Sequence, residues 1–258
     1  MAARFPTILK KRLRAEIAIV RQAFSDLIFP PFCPICEQQL SHNEHLVCED
    51  CFESIHTIES RFCRRCAAPL EEERKTCRYC KDKKYHFTKV RALGTFSPPL
   101  SEMVHLLKYE RKTHLANRLG ILLANIFLAD HELSSSSIII PVPLHPTRMR
   151  ERGYNQSLLL AKKVAEISRT ELCTHAISRA KPTKSQTALA HTQRIDNLRN
   201  AFRIEDSEPL AGKSVTVVDD VLTSGTTLDE MAKTLLDAGA ELIYGLVLAR
   251  AMGSDPTF

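Results

Sequence analysis

Val215 to Thr227 reads VTVVDDVLTSGTT, a β-branched run, an acid pair and a small polar turn in direct succession. Val215 to Val218 suits a strand buried on both faces of a parallel sheet. Asp219 and Asp220 are expected where that strand ends, on the edge at which open α/β sheets place their ligands. The turn Thr223, Ser224, Gly225, Thr226 and Thr227 comes next. A helical pattern from Leu228 to Ala238 follows and stops at Gly239, a good residue for the left-handed position after a helix.

A small glycine-containing turn at a helix N-terminus offers backbone N–H groups, hydroxyl donors and the positive end of the helix dipole, which together cradle a phosphate. The neighbouring carboxylates would repel a polyphosphate but suit a sugar diol, because ionised Asp only accepts hydrogen bonds and ribose hydroxyls donate them. A 5′-phosphate on a ribose with a free diol fits both halves, and 5-phosphoribosyl-1-pyrophosphate (PRPP) is such a compound. The competing reading is a buried strand and capped helix of some other doubly wound domain, its aspartates capping or binding a metal. No GxGxxG or GxxxxGK[ST] phosphate motif occurs in the chain.

The 258 residues suffice for one sizeable α/β core with a small appended module. A net charge of +6 is compatible with anionic substrates or partners without announcing a nucleic-acid binder. No apolar run reaches the length of a membrane span, and the first residues lack the apolar core and cleavage site of a signal peptide, so a cytoplasmic location is expected. Within residues 1–29, Leu9, Leu13, Ile17, Val20, Phe24 and Leu27 fall at helical spacing, as in an amphipathic helix. Packing on the protein's own body is its expected use, with peripheral contact to an anionic membrane surface or a partner left open.

Four CxxC pairs occupy Cys33 to Cys80: Cys33 and Cys36, Cys48 and Cys51, Cys63 and Cys66, Cys77 and Cys80. In a reducing compartment such pairs are metal ligands, and four pairs make two tetrahedral Cys₄ zinc sites. Few apolar residues lie between them, so metal binding is expected to supply the folding free energy. Sequential pairing, giving two zinc ribbons in series, is favoured over an interleaved arrangement. His42, His45, His56 and His86 are spare, because four complete pairs leave no ligand position open.

A basic run, Arg61, Arg64, Arg65, Arg74, Lys75, Arg78, Lys81, Lys83 and Lys84, surrounds the later pairs, with Phe62, Tyr79 and Tyr85 interleaved. It reads equally as a single-stranded nucleic-acid surface or as a solvated face. Strands are expected at Lys89 to Phe96, Ile138 to Val142, His175 to Ser178 and Leu242 to Leu248. Helices are expected near Leu100 to Tyr109, His114 to Ala129 and Asn155 to Ser168. Pro143 to Gln156, PLHPTRMRERGYNQ, reads as a loop carrying Arg148, Arg150 and Arg152 on the ligand edge of the sheet, suited to gripping an oxyanion. Within Arg179 to Phe202 the first part, polar and basic without clear periodicity, reads as a mobile lid, and Lys181, Lys184, Gln186 and Arg194 are candidates to close over a diphosphate. Cys173 is expected to be ordinary packing.

The four-CxxC module, PVPLHPTRMRERGYNQS, KPTKSQTALAHTQRIDNLRNAF and VVDDVLTSGTTLDE together resemble the ComF family, also called GntX, over nearly the whole chain. The resemblance implies an α/β protein: a type I phosphoribosyltransferase domain, a doubly wound parallel sheet, over about 89–258, preceded by a small cysteine-rich double zinc ribbon over about 30–88. It implies PRPP with Mg²⁺ as ligand, two structural Zn²⁺ ions, and a role in natural competence, the handling of imported single-stranded DNA beside a DNA-uptake helicase or other competence proteins. Asp219 and Asp220 would hold the ribose hydroxyls, and Thr223, Ser224, Gly225, Thr226 and Thr227 the 5′-phosphate. Arg148, Arg150, Arg152, Lys181 and Lys184 would face the diphosphate. The implied activity is pentosyl transfer from PRPP, with Asp219, Asp220, Arg152, Lys181 and Lys184 as candidate catalytic residues. Two alternatives stay open: a non-catalytic nucleic-acid adaptor using a PRPP-like site, and a phosphoribosyl transferase of unrelated metabolic role. The C-terminal half also resembles the transferase part of glutamine phosphoribosylpyrophosphate amidotransferases, but ammonia channelling is not expected, because no glutaminase domain precedes it here.

Overall fold

The computed structural model describes residues 30–41, 46–71, 75–180 and 201–252. The chain forms two compact units, Met1–Ser54 and Ile55–Phe258. In the first, Phe32 and Gln39 form an antiparallel bridge. The Cys33 N–H donates to Gln38 O at 2.8 Å and the Glu37 N–H donates to Cys33 O at 2.9 Å, closing a knuckle around the first CxxC pair. Glu37 takes a φ of 60° to make the turn. Cys48 caps helix α1 (Glu49–Glu53), on which Cys51 lies.

The second unit opens with the same device. Phe62 bridges Pro69, and Ala67, at a φ of 58°, donates to Cys63 O at 2.8 Å. Cys77 caps α2 (Arg78–Lys81), which carries Cys80. The chain continues through β1 (Lys89–Thr95), α3 (Leu100–Tyr109), α4 (Leu115–Ala129), α5 (His131–Ser134), β2 (Ile138–Pro141), α6 (Pro146–Arg152) and α7 (Gln156–Ser168). Then come β3 (Glu171–Leu172), β4 (Ile177–Arg179), β5 (Phe202–Ile204), β6 (Ser214–Leu222), α8 (Thr226–Asp237) and β7 (Leu242–Arg250).

Five strands form one parallel sheet in the order β1-β7-β6-β2-β3, while β4 and β5 pair antiparallel on their own. Consecutive residues of β6, Val215 to Val218, are all buried, so both faces of the sheet are covered. Gly245 in β7 permits this on one side: a Cβ there would stand 2.6 Å from a Leu228 methyl, so only glycine lets α8 press so close.

The second four-cysteine site draws on this core instead of building its own. Cys63, Cys66, Cys77, Cys80 and Phe87 belong to the same buried cluster as Val90, Val215, Val217, Leu228 and Met231. Polar contacts reinforce the joint: Lys89 Nζ lies 2.7 Å from Asp130, Arg91 Nη1 2.9 Å from the same carboxylate, and Arg64 Nη2 2.6 Å from Glu132. Burial opposes ionisation of Asp130, but Lys89 and Arg91 outweigh it and hold its pKa below the usual carboxylate value.

The strands and helices fall close to where periodicity puts them, with three corrections. Strand β6 does not stop at Val218 but runs to Leu222, because β7 keeps pairing with it, Asp219 opposite Val247 and Leu222 opposite Arg250. On its other side β2 has ended opposite Val218 at Pro141, so the two aspartates stand on a strand with one open flank. The stretch after β2 is not a loop throughout: Pro146 at N1 and the His145 cap, which accepts from the Thr147 N–H, start helix α6 there. The expected strand at His175 to Ser178 lies at Ile177–Arg179 and pairs with β5, outside the parallel sheet. The amphipathic N-terminal segment and the lid candidates Lys181, Lys184, Gln186 and Arg194 lie outside the described residues.

Candidate functional site

A cavity of about 490 Å³ opens at the carboxyl edges of β2 and β6. β2 connects onward to β3 on one side while β6 and β7 lie on the other, so this crevice is where the strand order changes direction, the expected ligand position of an open α/β sheet. Its lining joins Asp219, Asp220, Thr223, Gly225 and Thr227 from the segment that follows the β6 core to Arg148 and Arg152 from α6. Gln156 and Ser157 from the start of α7, Lys108 and Tyr109 from α3, and Arg179 from β4 complete it.

Both carboxylates are held. Asp220, 4% exposed, has Oδ1 2.6 Å from Lys108 Nζ and accepts through Oδ2 from Gln156 Nε2 at 2.6 Å. Asp219 accepts through Oδ1 from Ser157 Oγ and from the Asp220 N–H, each at 2.9 Å. Gln156 and Ser157 reach these positions because Asn155 caps α7, accepting from the Ser157 N–H at 3.0 Å, and anchors it by donating to Val142 O at 3.0 Å. Arg152 donates in turn to Gln156 Oε1.

Charge balance follows from this packing. Burial, and then repulsion from Asp220, push the Asp219 carboxyl up to about 7, with Lys108 opposing. Burial works against the Lys108 charge, yet Asp220 outweighs it and raises the Lys108 pKa. Burial lowers the pKa of Arg179, Asp219 favours its charge, and Arg148 works against it.

Gly225 caps α8 with a φ of 81°, a left-handed conformation that side chains seldom adopt. Ser224 Oγ and Thr226 Oγ1 bond each other at 2.8 Å. Of the five turn residues, Thr223, Gly225 and Thr227 line the cavity, whereas Ser224 and Thr226 do not. Of the three arginines expected at the diphosphate, Arg148 and Arg152 line it and Arg150 does not: it lies on the exposed side of α6, because a helix cannot turn alternate residues to one face. Lys108, Gln156, Ser157 and Arg179 are site residues that sequence reasoning missed. Lys108 belongs with Ser101, Val104, His105 and Tyr109 to one face of α3, at helical spacing, so the face was legible but its target was not.

The two cysteine groups each bring four Sγ atoms within 4.8 Å of one another, Cys33 with Cys36, Cys48 and Cys51, and Cys63 with Cys66, Cys77 and Cys80. Pairing is therefore sequential. The separations of 3.8 Å for Cys33–Cys51, 3.4 Å for Cys36–Cys48 and 3.7 Å for Cys66–Cys77 suit a shared metal ion. Tetrahedral Zn–S bonds of about 2.3 Å put sulfurs roughly 3.8 Å apart. Without a metal the thiols cannot all ionise: hydrogen bonds from Cys66 and Cys80 hold the Cys63 pKa down, while those same contacts with Cys63 raise Cys66 and Cys80. Zinc would favour the thiolate at every one.

The basic run offers little aromatic surface. Lys83 Nζ lies 3.4 Å from the Tyr79 ring centroid, Arg91 covers Phe62 at 4.3 Å, and Tyr85 stacks on Phe87 at 4.6 Å, all three interleaved aromatics being half-buried.

A parallel sheet with an acid pair and a glycine turn at its switch point, joined to two Cys₄ knuckles, defines a type I phosphoribosyltransferase fold carrying a double zinc ribbon. Family profiles agree: a double zinc ribbon domain matches residues 24–82 and a phosphoribosyl transferase domain matches 155–255. The chain belongs to the ComF family. It is 30% identical over 229 residues to the DNA utilization protein YhgH of Escherichia coli K12, covering 88% of this chain and 100% of that protein. It is 30% identical to Competence protein F of Haemophilus influenzae, over 85% of this chain and 96% of the relative. Competence protein ComFC of Bacillus subtilis is 23% identical over 80% and 89%. Among solved structures, a purine phosphoribosyltransferase from Pyrococcus horikoshii is 20% identical, over 52% of this chain and 71% of that one, with a TM-score of 0.33.

Proposed function

We propose that the cavity binds PRPP with Mg²⁺ and that the protein serves the use of imported DNA, a reading supported by relatives named DNA utilization protein and Competence protein F. One observation carries the ligand: the acid pair and the glycine turn, separated in chemistry, line one cavity. The Asp219 and Asp220 oxygens accept the ribose hydroxyls, and the α8 N-terminus with Thr223, Gly225 and Thr227 takes the 5′-phosphate. Arg148, Arg152 and Lys108 line the same cavity and supply the positive charge a 1-diphosphate needs. Mg²⁺ prefers oxygen ligands and keeps several waters and substrate phosphates, so a carboxylate-floored cavity fits it, and it would supply neutralisation of the departing diphosphate. For transfer, the arginines hold the leaving group while the carboxylates stabilise positive character on the ribose. The role in DNA use is tested by deleting the gene and scoring growth on DNA or transformation frequency, either of which should fall.

Calorimetric titration of PRPP with and without Mg²⁺, into the wild type and into Asp219→Asn/Asp220→Asn, tests the ligand. Mg²⁺-dependent binding lost in the variant is expected. Equal binding by both proteins would remove the site assignment.

A second reading is favoured by the largely cationic, partly aromatic lining of an adjoining pocket of about 120 Å³, in which Lys108, Tyr109, Arg111, Arg148 and Arg152 outnumber the single acid Glu151. There the site would hold the 5′-phosphorylated end of a DNA strand without turnover. Preference for a 5′-phosphorylated over a 5′-hydroxyl oligonucleotide, with no PRPP binding, would favour it.

A further inference from the structure

The second four-cysteine site and the phosphate turn are joined by a continuous chain of contacts. Arg250, the last residue of β7, is 2% exposed and carries a cation into the core. Its Nη1 donates to Leu222 O at 3.0 Å and to Thr223 O, the two carbonyls at which β6 passes into the turn, and to Ala251 O at 2.5 Å. On the other side the link is packing: Leu222, whose carbonyl Arg250 holds, belongs to the same buried cluster as Cys63, Cys66, Cys77 and Cys80.

Packing makes a second link. Tyr85, His86 and Phe87 lead from the last CxxC pair to β1, with the Tyr85 and Phe87 rings stacked at an interplanar angle of 22°. A Cβ on Gly225 would stand 3.6 Å from the Tyr85 ring and 3.7 Å from the Phe87 ring, so the left-handed residue of the turn lies against both. The His86 N–H donates to Asp229 Oδ1 at 2.6 Å, and the Asp229 N–H closes the first turn of α8 on Gly225 O at 2.9 Å. Phe87 and all four cysteines share one buried cluster.

A turn that grips phosphate through backbone N–H groups is only as good as the aim of those groups, and aim is what these contacts fix. Resting on the reading of Thr223 to Thr227 as a phosphate turn, we infer that Arg250 and the Tyr85–Phe87 segment are positioning residues that couple zinc at Cys63, Cys66, Cys77 and Cys80 to sugar-phosphate affinity. Linkage makes the effect reciprocal: zinc at this site tightens the sugar phosphate, and the bound sugar phosphate tightens the zinc by the same factor. Metal loss at the second site therefore weakens sugar-phosphate binding by that factor.

The test uses the full chain with ¹¹³Cd in both Cys₄ sites, the Cys36→Ser variant assigning the two resonances, and ribose 5-phosphate as probe. Ribose 5-phosphate should shift the resonance of the Cys63–Cys80 site and leave the other in place. At saturation it should lower chelator extraction of that ion by about tenfold, within the usual range of allosteric coupling. Arg250→Met should weaken ribose 5-phosphate binding by a similar factor and abolish the chelator effect, while Arg250→Lys recovers part of both. Ribose 5-phosphate binding with both resonances and the extraction affinity unchanged would overturn the coupling while leaving the phosphate turn standing. No binding to the intact protein would remove the phosphate reading and the coupling with it.

Discussion

Lys108 Nζ lies 2.6 Å from Asp220 Oδ1, so a helix outside the motif that defines the site supplies the cation for one of its two carboxylates. Both side chains are largely removed from water, 19% and 6% exposed. Lys108 therefore balances the charge of Asp220, and a ligand that claims Asp220 must redirect Lys108. Lys108 also lines an adjoining pocket with Arg111, Arg148, Glu151 and Arg152.

Removing one partner of such a pair leaves an uncompensated buried charge, which costs about 3–5 kcal/mol. Lys108→Met is expected to lower the denaturant midpoint by an amount near the bottom of that range, since the pair opens on a cavity. Adding Asp220→Asn should recover much of the loss, because the stranded charge is gone. Urea unfolding of the two single variants and the double variant measures this, and additive effects would mean the ion pair is absent in solution.

The raised carboxyl of Asp219 gives a pH signature. Its folded pKa of about 7 lies above the ordinary 3.8, so the native state binds the extra proton between those values. The stabilising contribution of that proton is complete below pH 3.8 and is lost as pH rises toward 7. Ligand binding runs the other way: a ribose diol needs the ionised acceptor, so affinity should rise with pH and level off above 7. The phosphate titrates near 6 as well, so the measured quantity is the difference between wild type and Asp219→Asn across pH 5.5 to 8.5, at about half-unit steps. Parallel curves for the two proteins would place the titration elsewhere.

Arg148 and Arg150 make a paired control. Arg148 lines the cavity and Arg150 lies exposed on the same short helix. Replacing Arg148 by Ala should weaken PRPP binding by about 10- to 100-fold, the equivalent of one charge-assisted hydrogen bond of about 1.5–3 kcal/mol. Arg150→Ala should leave it within about twofold, a change worth well under 1 kcal/mol. Equal losses would mean that bulk positive charge, and not placement, governs the affinity.

The sheet and its acid pair were legible because each rests on local pattern: the β-branched run Val215 to Val218 suits a strand buried on both faces, and the turn chemistry at Gly225 is short-range. Site residues contributed at a distance were not. Ser157 and Gln156 were legible as the first turn of a helix, but nothing local says that this turn meets Asp219 and Asp220, some sixty residues later. Arg150 was misplaced because a loop was assumed where His145 and Pro146 start a helix. The second Cys₄ site is more subtle. Its few apolar residues pointed to metal as the source of its folding free energy, and the structure adds that Phe87 and the four cysteines are also buried in the core of the sheet domain.

That difference separates the two zinc sites experimentally. Cys33 to Cys51 lie in the unit Met1–Ser54, while Cys63, fully buried, belongs to the unit and core that hold β6, β7 and α8. Cys33→Ser should lower zinc content from two ions to one and leave the main cooperative transition near its wild-type midpoint. Cys63→Ser should also remove one ion, but it takes the metal out of a packed core, so it should lower the main transition by several degrees for each kcal/mol lost, roughly 2–4 °C in a domain of this size. Metal analysis with calorimetry on both variants decides the matter. If the main transition is equally insensitive to both substitutions, the second ribbon is an appendage to the sheet domain and contributes nothing to its core.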